Sequence, residues 1–447
     1  MPEAAPAATV TQLRRELGLA DLVLFNISAL VGIRWLAAAA HAGPGSVTLW
    51  ALAAAGYFIP CALVVSTLSA KWPAEGGLYV WTRHSFGDWH AFLCGWLYWL
   101  SNLFFLPSVL LVGVSVASYA LGPSWASLAE SGPHVLPVTL LILWIAVLTN
   151  VLGLRTGKWT SNFGGAATYL AGGLIIAAGL LAWMKDGAVT PLDLTPEWNW
   201  EKVNLWSQIA FAFTGLELGP VMAEEIRDPQ RSVPRAAWVS AIAVTAFYIF
   251  GTVAILVLLR PEEVSVVTGL AETGAAAGRR LGYTWMTSVI AVLVALGITG
   301  QVGTWMAGNA RLPMVFGVDR YLPRAFGRIH PRWRTPHVAL IAQGILCTVF
   351  LIAMQAGETM RAGYQLLVDM AVLTAFIPFL YIFAAGFREK RYLAGAIGFL
   401  VSLFAAGLSL VPPGGTSSVL IFELKIAGGW FLLALVARVI FLRGPAR

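Results

Sequence analysis

Residues 211–235 read FAFTGLELGPVMAEEIRDPQRSVPR, and the fold turns on how that stretch is understood. Its first half is apolar enough to lie in lipid, yet Thr214, Gly215 and Glu217 interrupt it, and it ends in a dense block of charge and proline. A helix serving only as an anchor would carry neither a helix breaker nor a carboxylate halfway along. The surrounding solvent has to be established first. Of 447 residues 58% are hydrophobic and 11% charged, with a mean hydropathy of +0.75, where a soluble domain carries about 25% charge. So many apolar side chains cannot hide beneath the surface of one globule, and lipid is the solvent they imply.

Outward from that stretch, twelve runs are long enough to cross hydrocarbon, for which about 20 residues are needed. They fall at 21–40, 47–70, 89–119, 135–152, 162–184, 205–223, 236–259, 284–309, 337–354, 364–387, 394–411 and 418–442. The expected fold is an all-α polytopic protein of twelve transmembrane helices, multi-pass in the cell membrane. Of the 29 Lys and Arg, 21 fall in one set of alternate loops and 6 (Lys185, Lys202, Arg260, Arg279, Arg280 and Arg361) in the other, with Arg34 and Lys425 inside spans. Positive charge collects on the cytoplasmic side, which places both termini in the cytoplasm. The longest loops, 185–204, 260–283 and 310–336, are too short for a soluble domain, so any function is carried within the membrane.

The net charge of +7 lies in these short loops and gives no nucleic-acid footprint. Cys61, Cys94 and Cys347 each sit in an apolar run, with no CxxC and no histidine cluster nearby. Neither a disulfide framework, a metal site nor a cofactor is expected. The N-terminal MPEAAPAATVTQLRREL lacks the apolar core and small-residue cleavage site of a signal peptide, so no removed leader is expected. The six histidines lie mostly at helix ends on both sides, and no HExxH or GxSxG occurs. A membrane-embedded enzyme, which needs acid, base or metal ligands gathered at one depth, is disfavoured.

In the bilayer core every backbone N–H and C=O needs a partner, so a helix is interrupted only where protein or a wet cavity satisfies the freed groups. Gly215, in FAFTGLE, and Gly32, in SALVGIRW, are candidate interruptions of the sixth and first spans. Glycine is also common where membrane helices pack closely. The matched positions point instead to two five-helix halves, each with a broken first helix, whose open peptide groups meet a small zwitterion. Glu217, Asp369 and Arg34 are charges at membrane depth, each costing about 2.5–3.5 kcal/mol on insertion scales unless partnered or wetted. Glu217, two residues past a break, suits substrate binding or proton relay, since a carboxyl that exchanges wet for dry surroundings exchanges a proton readily. Asp369, nearer a helix end, suits an internal pair that sets helix register. Glu423 and Lys425, in the last span, suit packing or a homodimer interface.

The segments FAFTGLELGPVMAEEIRDPQRSVPRA (211–236), WPAEGGLYVWTRHSFGDWHAFLCGW (72–96) and ARLPMVFGVDRYLPRAFGRIHPRWRTPHVAL (310–340) together resemble the amino acid, polyamine and organocation permease superfamily. The resemblance covers nearly the whole chain and implies a leucine-transporter-type fold working by alternating access. On that plan a cytoplasmic segment (1–20) precedes a first five-helix repeat (21–184). An extracellular loop (185–204) leads to a second, inverted repeat (205–387), and two peripheral helices with a short cytoplasmic tail close the chain (388–447). Carried over by position, Ser28, Val31, Gly32 and Ile33 would present backbone groups to a substrate carboxylate. Phe211, Thr214 and Gly215 would meet its amine, with Phe213 as an aromatic lid and Trp305 in the pocket wall.

The superfamily usually has Gly-Ser/Thr-Gly-Ile-Phe at the first break, whereas this chain has Leu30-Val31-Gly32-Ile33-Arg34-Trp35. Arg34 either faces the pocket and binds an acidic side chain or a substrate carboxylate bidentately, which would admit acidic amino acids or their decarboxylation products, or pairs with Glu217 or Asp369, or replaces a cation as a fixed charge and frees the carrier from sodium. The second group of uses is preferred. The expected function is secondary amino acid transport, sodium-independent, by proton symport or exchange. An amine or polyamine carrier is the alternative within transport. A membrane sensor or accessory subunit that binds substrate without moving it is the alternative of another class.

Overall fold

The computed structural model describes residues 18–444 with the exceptions of 75, 201, 222–225, 357, 414–415 and 417. The chain begins with α1 (Leu19–Leu30), α2 (Arg34–Ala42), α3 (Ser46–Lys71), the short α4 (Leu78–Phe86), α5 (Asp88–Ala117), α6 (Gly132–Val151) and α7 (Leu154–Asp186). After an irregular stretch come α8 (Asn204–Phe211), α9 (Leu218–Val221), α10 (Pro229–Leu258), α11 (Gly269–Leu281), α12 (Met286–Asn309) and α13 (Arg311–Val318). Then α14 (His337–Gln355), α15 (Met360–Arg388), α16 (Tyr392–Leu408) and α17 (Val419–Arg443) complete it. Among the described residues nine spans are long and apolar enough to cross a membrane, and α16 is a shorter apolar helix of 17 residues. The molecule is an all-α polytopic membrane protein.

Apolar runs predict most of these helices to within a few residues, because a span must satisfy its own backbone hydrogen bonds in lipid. The differences have local reasons. The helix α10 starts inside the charged block, at Pro229, since proline has no N–H to leave unsatisfied in a first turn. The stretches 72–88, 260–283 and 310–336, expected as loops, hold α4, α11 and α13. In α11 the buried Leu270, Gly274 and Ala277 lie on one face, a short amphipathic pattern that a search for 20-residue apolar runs passes over.

Burial ranks the helices. In α5 and α15, 83% of the apolar window is enclosed, whereas in α17 the share is 11%. The first two pack on each other at the centre, and α17 lies at the periphery with most of its apolar surface uncovered. There Lys425 pairs with Glu358, so this cation in the last span is met within its own chain. The helices α7 and α12 approach closely where Gly164 meets Gly300 and Gly297 meets Thr168; small residues let membrane helices pack backbone to backbone. Cys61, Cys94 and Cys347 are buried and unpaired.

Candidate functional site

The first span is broken. Helix α1 ends at Leu30 and α2 starts at Arg34, leaving Val31, Gly32 and Ile33 outside helix and buried. The carbonyls and amides freed there find partners on distant helices. The Ala29 carbonyl accepts from Trp305 Nε1 at 2.9 Å and from Gln301 Nε2 at 3.3 Å, both on α12. The Tyr248 hydroxyl on α10 lies 2.6 Å from the Leu30 carbonyl and accepts from Gly32 N at 3.1 Å. This answers the rule that an unmet peptide group in lipid costs several kcal/mol.

The sixth span is broken too. Between α8 and α9 the chain turns through residues 212–217, with Gly215 at φ +125°. Only glycine adopts that conformation without strain. Its amide points at the carboxylate two residues on, with Gly215 N 3.1 Å from both Glu217 oxygens. The Tyr98 hydroxyl on α5 donates to Glu217 Oε1 at 2.6 Å, and Glu217 is wholly buried. Breaker and carboxylate are thus one device: the glycine turns an amide inward and the carboxylate receives it.

The two breaks touch. A Cβ on Gly215 would stand 3.0 Å from the Trp305 ring and 3.5 Å from the Ala29 carbonyl carbon. The Tyr248 hydroxyl reaches both, since it lies 3.1 Å from the Ala212 carbonyl as well. Beside them is a cavity walled by Tyr98, Asn102, Phe105, Thr214, Glu217 and Trp305, with room for about 10 Å³. That is the space of roughly one water molecule. The site is closed, and a larger guest requires the helices around it to move.

Of the residues singled out in the sequence, Phe211, Thr214, Glu217 and Trp305 line this cavity, and Val31, Gly32, Ile33 and Gly215 form the breaks beside it. The Ser28 backbone belongs to α1, and its side chain lies outside the described residues. Phe213 corrects an expectation. It stacks on Phe58 at 4.8 Å and meets Trp50 and Tyr248 edge-on, packing between α3 and α10 rather than over the cavity. Phe105 and Phe211, 5.8 Å apart, are among the rings that flank the cavity, with Tyr98, Trp305 and Phe379.

The expected pairing of Arg34 with Glu217 or Asp369 is also corrected. Arg34 Nη1 donates to Ser108 Oγ and to the Tyr364 hydroxyl, each at 3.2 Å, and no ion pair to either carboxylate is present among the described residues. The carboxylates are engaged elsewhere: Glu217 with Tyr98 and Gly215, Asp369 with Gln365 Nε2 at 2.9 Å. The Gln365 amide also reaches Asn204 Oδ1, at 3.1 Å, so Asp369 belongs to a buried polar group joining α15 to α8 and is not part of the cavity wall.

Sequence reasoning missed Tyr98, Tyr248, Gln301, Ser108 and Tyr364. Tyrosines in an apolar run look like packing residues; the signal was the phenol, which needs a partner when buried. A second polar cluster joins two of the segments on which the superfamily resemblance rests. Arg83 on α4 meets Asp88 Oδ1 at 2.7 Å and Asp319 Oδ2 at 3.2 Å, while the Tyr79 hydroxyl donates to Asp319 at 2.5 Å. Burial, reinforced by the Asp319 charge, pushes the Tyr79 phenol well above its ordinary range, so it remains a donor.

Residues 17–422 match the family model described as amino acid permease. The chain belongs to the amino acid permease family. An uncharacterized transporter of Legionella pneumophila is 28% identical over 95% of this chain and 96% of its own length. The probable agmatine/putrescine antiporter AguD of Lactococcus lactis is 23% identical over 68% of this chain and 64% of its own. The glutamate/serine transporter AimA of Bacillus subtilis is 25% identical over 76% and 66%. As a permease the chain is a transporter, and small amino acids or amines are the cargo of its named relatives.

Proposed function

We propose that this permease carries amino acids across the cell membrane by alternating access, independently of sodium, by proton symport or exchange. The observation that carries the proposal is the meeting of two helix breaks at a closed cavity with a buried carboxylate in its wall. Broken helices in transporters present half-helix ends to anionic groups and unwound carbonyls to cationic ones. Here the helical end at Arg34 faces the first task, and the turn at 211–217 the second. On this plan residues 21–184 and 205–387 are two inverted halves, 388–447 are peripheral, and both termini lie in the cytoplasm. We assign the proton to Glu217, the carboxyl in the cavity wall, which in the closed site accepts from the Tyr98 hydroxyl and the Gly215 amide.

The likeness to AguD favours a second reading, an amine exchanger. A doubly cationic amine needs acids at the site, and the cavity wall has the single carboxylate of Glu217 with the Arg34 cation one ring away. That electrostatic balance favours an amino acid. Counterflow in proteoliposomes tests the choice with a panel of neutral, acidic and basic amino acids, agmatine and putrescine. Accumulation of labelled amino acid against an internal unlabelled pool is expected. Accumulation of amines alone overturns the substrate, and saturable binding without accumulation overturns carriage in favour of a sensor.

A further inference from the structure

Arg34 is a cation at 1% exposure whose hydrogen bonds use only one of its three nitrogens. Nη1 is held by Ser108 and Tyr364, while Nε and Nη2 have no partner among the described residues. Those two nitrogens share one edge of the guanidinium plane, the edge that receives both oxygens of a carboxylate in parallel. The plane itself lies over the Trp35 ring, 3.9 Å from its centroid, and stacking of that kind leaves the edge open for hydrogen bonds. An unmet buried N–H is costly, and more so when charged, so this edge is one that a ligand would complete.

The edge is close to the cavity. The Phe105 ring, part of the cavity wall, lies 5.1 Å from Arg34 Cζ, and Trp35 meets Phe211, another wall residue, edge-on at 5.8 Å. One aromatic layer separates the guanidinium from the space beside Glu217. Since that space holds about one water, the rings must shift for any amino acid to bind, and a shift of Phe105 exposes Arg34 to the guest.

We propose that the Nε/Nη2 edge of Arg34 is the specificity determinant for a second carboxylate, making the substrate a dicarboxylic amino acid whose side-chain carboxylate pairs bidentately with Arg34. The proposal rests on the carrier reading of the same site and names its substrate class. The neutral hydroxyls of Ser108 and Tyr364 hold the guanidinium in place without neutralising it. An anionic side chain brings the missing charge as well as two acceptor oxygens in parallel, whereas glutamine brings a neutral amide with one acceptor oxygen and a donor in place of the second.

The test is counterflow by the full chain in proteoliposomes with glutamate, glutamine and serine, in wild type, Arg34→Gln and Arg34→Lys, with substrate-induced shifts of the unfolding midpoint measured alongside. Wild type is expected to prefer glutamate to glutamine by about ten- to a hundredfold in kcat/KM, the range of a charge-assisted pair. In Arg34→Gln the preference vanishes, because glutamate counterflow falls by about ten- to a hundredfold more than glutamine or serine counterflow. Arg34→Lys keeps the charge without the fork and falls between. A wild type that carries neutral amino acids without favouring glutamate overturns the proposal and leaves the carrier reading standing. Parallel loss of all three substrates in a monodisperse Arg34→Gln overturns it too, because Arg34 then serves the shared α-carboxylate or the fold. If Arg34→Gln fails to fold, the wild-type ratio decides. If wild type moves no amino acid, the carrier reading fails, and stabilisation by glutamate but not glutamine still supports the pairing; equal or absent stabilisation overturns it.

Discussion

At the first break the freed peptide groups are met from afar, by Tyr248 on α10 and by Trp305 and Gln301 on α12; at the second the Gly215 amide is met at home, by Glu217 two residues on, and Tyr248 reaches the Ala212 carbonyl from outside. Each glycine is followed at the same spacing by a charge, Arg34 after Gly32 and Glu217 after Gly215, of opposite sign. The anion is folded back on its own segment, while the cation leans on aromatic rings and keeps two nitrogens unmet. The difference teaches where movement is felt. A break held by other helices changes its bonding when those helices shift, and a self-capped break keeps its shape. On the proposed cycle the first break is therefore the one remade between states.

The largest contrast is expected at Gly215. Gly215→Ala puts a side chain at φ +125° and 3.0 Å from Trp305, so counterflow should fall by about a hundredfold or more, from strain of about 1–2 kcal/mol with a clash added. Gly32→Ala carries no positive-φ strain, and although its Cβ would stand 2.5 Å from the buried Trp35 ring, which must shift, it should retain more transport than Gly215→Ala. Equal losses at the two glycines would contradict the distinction.

Next comes Tyr248→Phe, which removes the one hydroxyl shared by both breaks. Leaving buried groups unmet should lower stability by about 2 kcal/mol, read as a drop in the unfolding midpoint in detergent. An unchanged midpoint would mean water replaces the hydroxyl.

Glu217→Gln keeps the shape of the second break and deletes its charge. In a proton-coupled carrier, uptake rises as external pH falls because the carboxyl must be protonated to cross. The variant mimics the protonated form, so its uptake should be flat with pH, within about tenfold of the best wild-type rate. A pH profile that follows wild type assigns the proton to another group. The smallest effect is expected far from the breaks: Asp319→Asn weakens a partly exposed contact with Arg83, worth about 0.5 kcal/mol, while the amide oxygen still accepts from the Tyr79 hydroxyl, so the unfolding midpoint should move slightly with substrate preference unaltered.

Much of the fold was legible because its causes are local. Lipid as solvent, the spans and the two interruptions follow from the order of apolar residues and from glycine and charge placed inside them. A broken helix was visible at Gly215 because a breaker and a carboxylate shared one apolar run. The wall positions of Thr214 and Trp305 were reachable through family resemblance, and Tyr98 and Tyr248 were not, since a phenol in an apolar run signals no direction. Arg34 was visible as a buried cation; its partners were misjudged, because three charges at similar depth look like mutual partners when their angular positions are unknown.

Chain order thus settled which residues enter the membrane and where the backbone opens, through the energetic penalty on every unpaired peptide group in hydrocarbon. The packed bundle settled which way each side chain faces. Phe213 turns to Trp50 while Phe211 turns to the cavity, and Tyr248 lies within reach of both breaks. The physical reason is that spans apolar on all sides carry no stripe to fix their rotation. Their orientation comes from ring packing and from the hydrogen bonds that buried hydroxyls, amides and the Arg34 guanidinium must find.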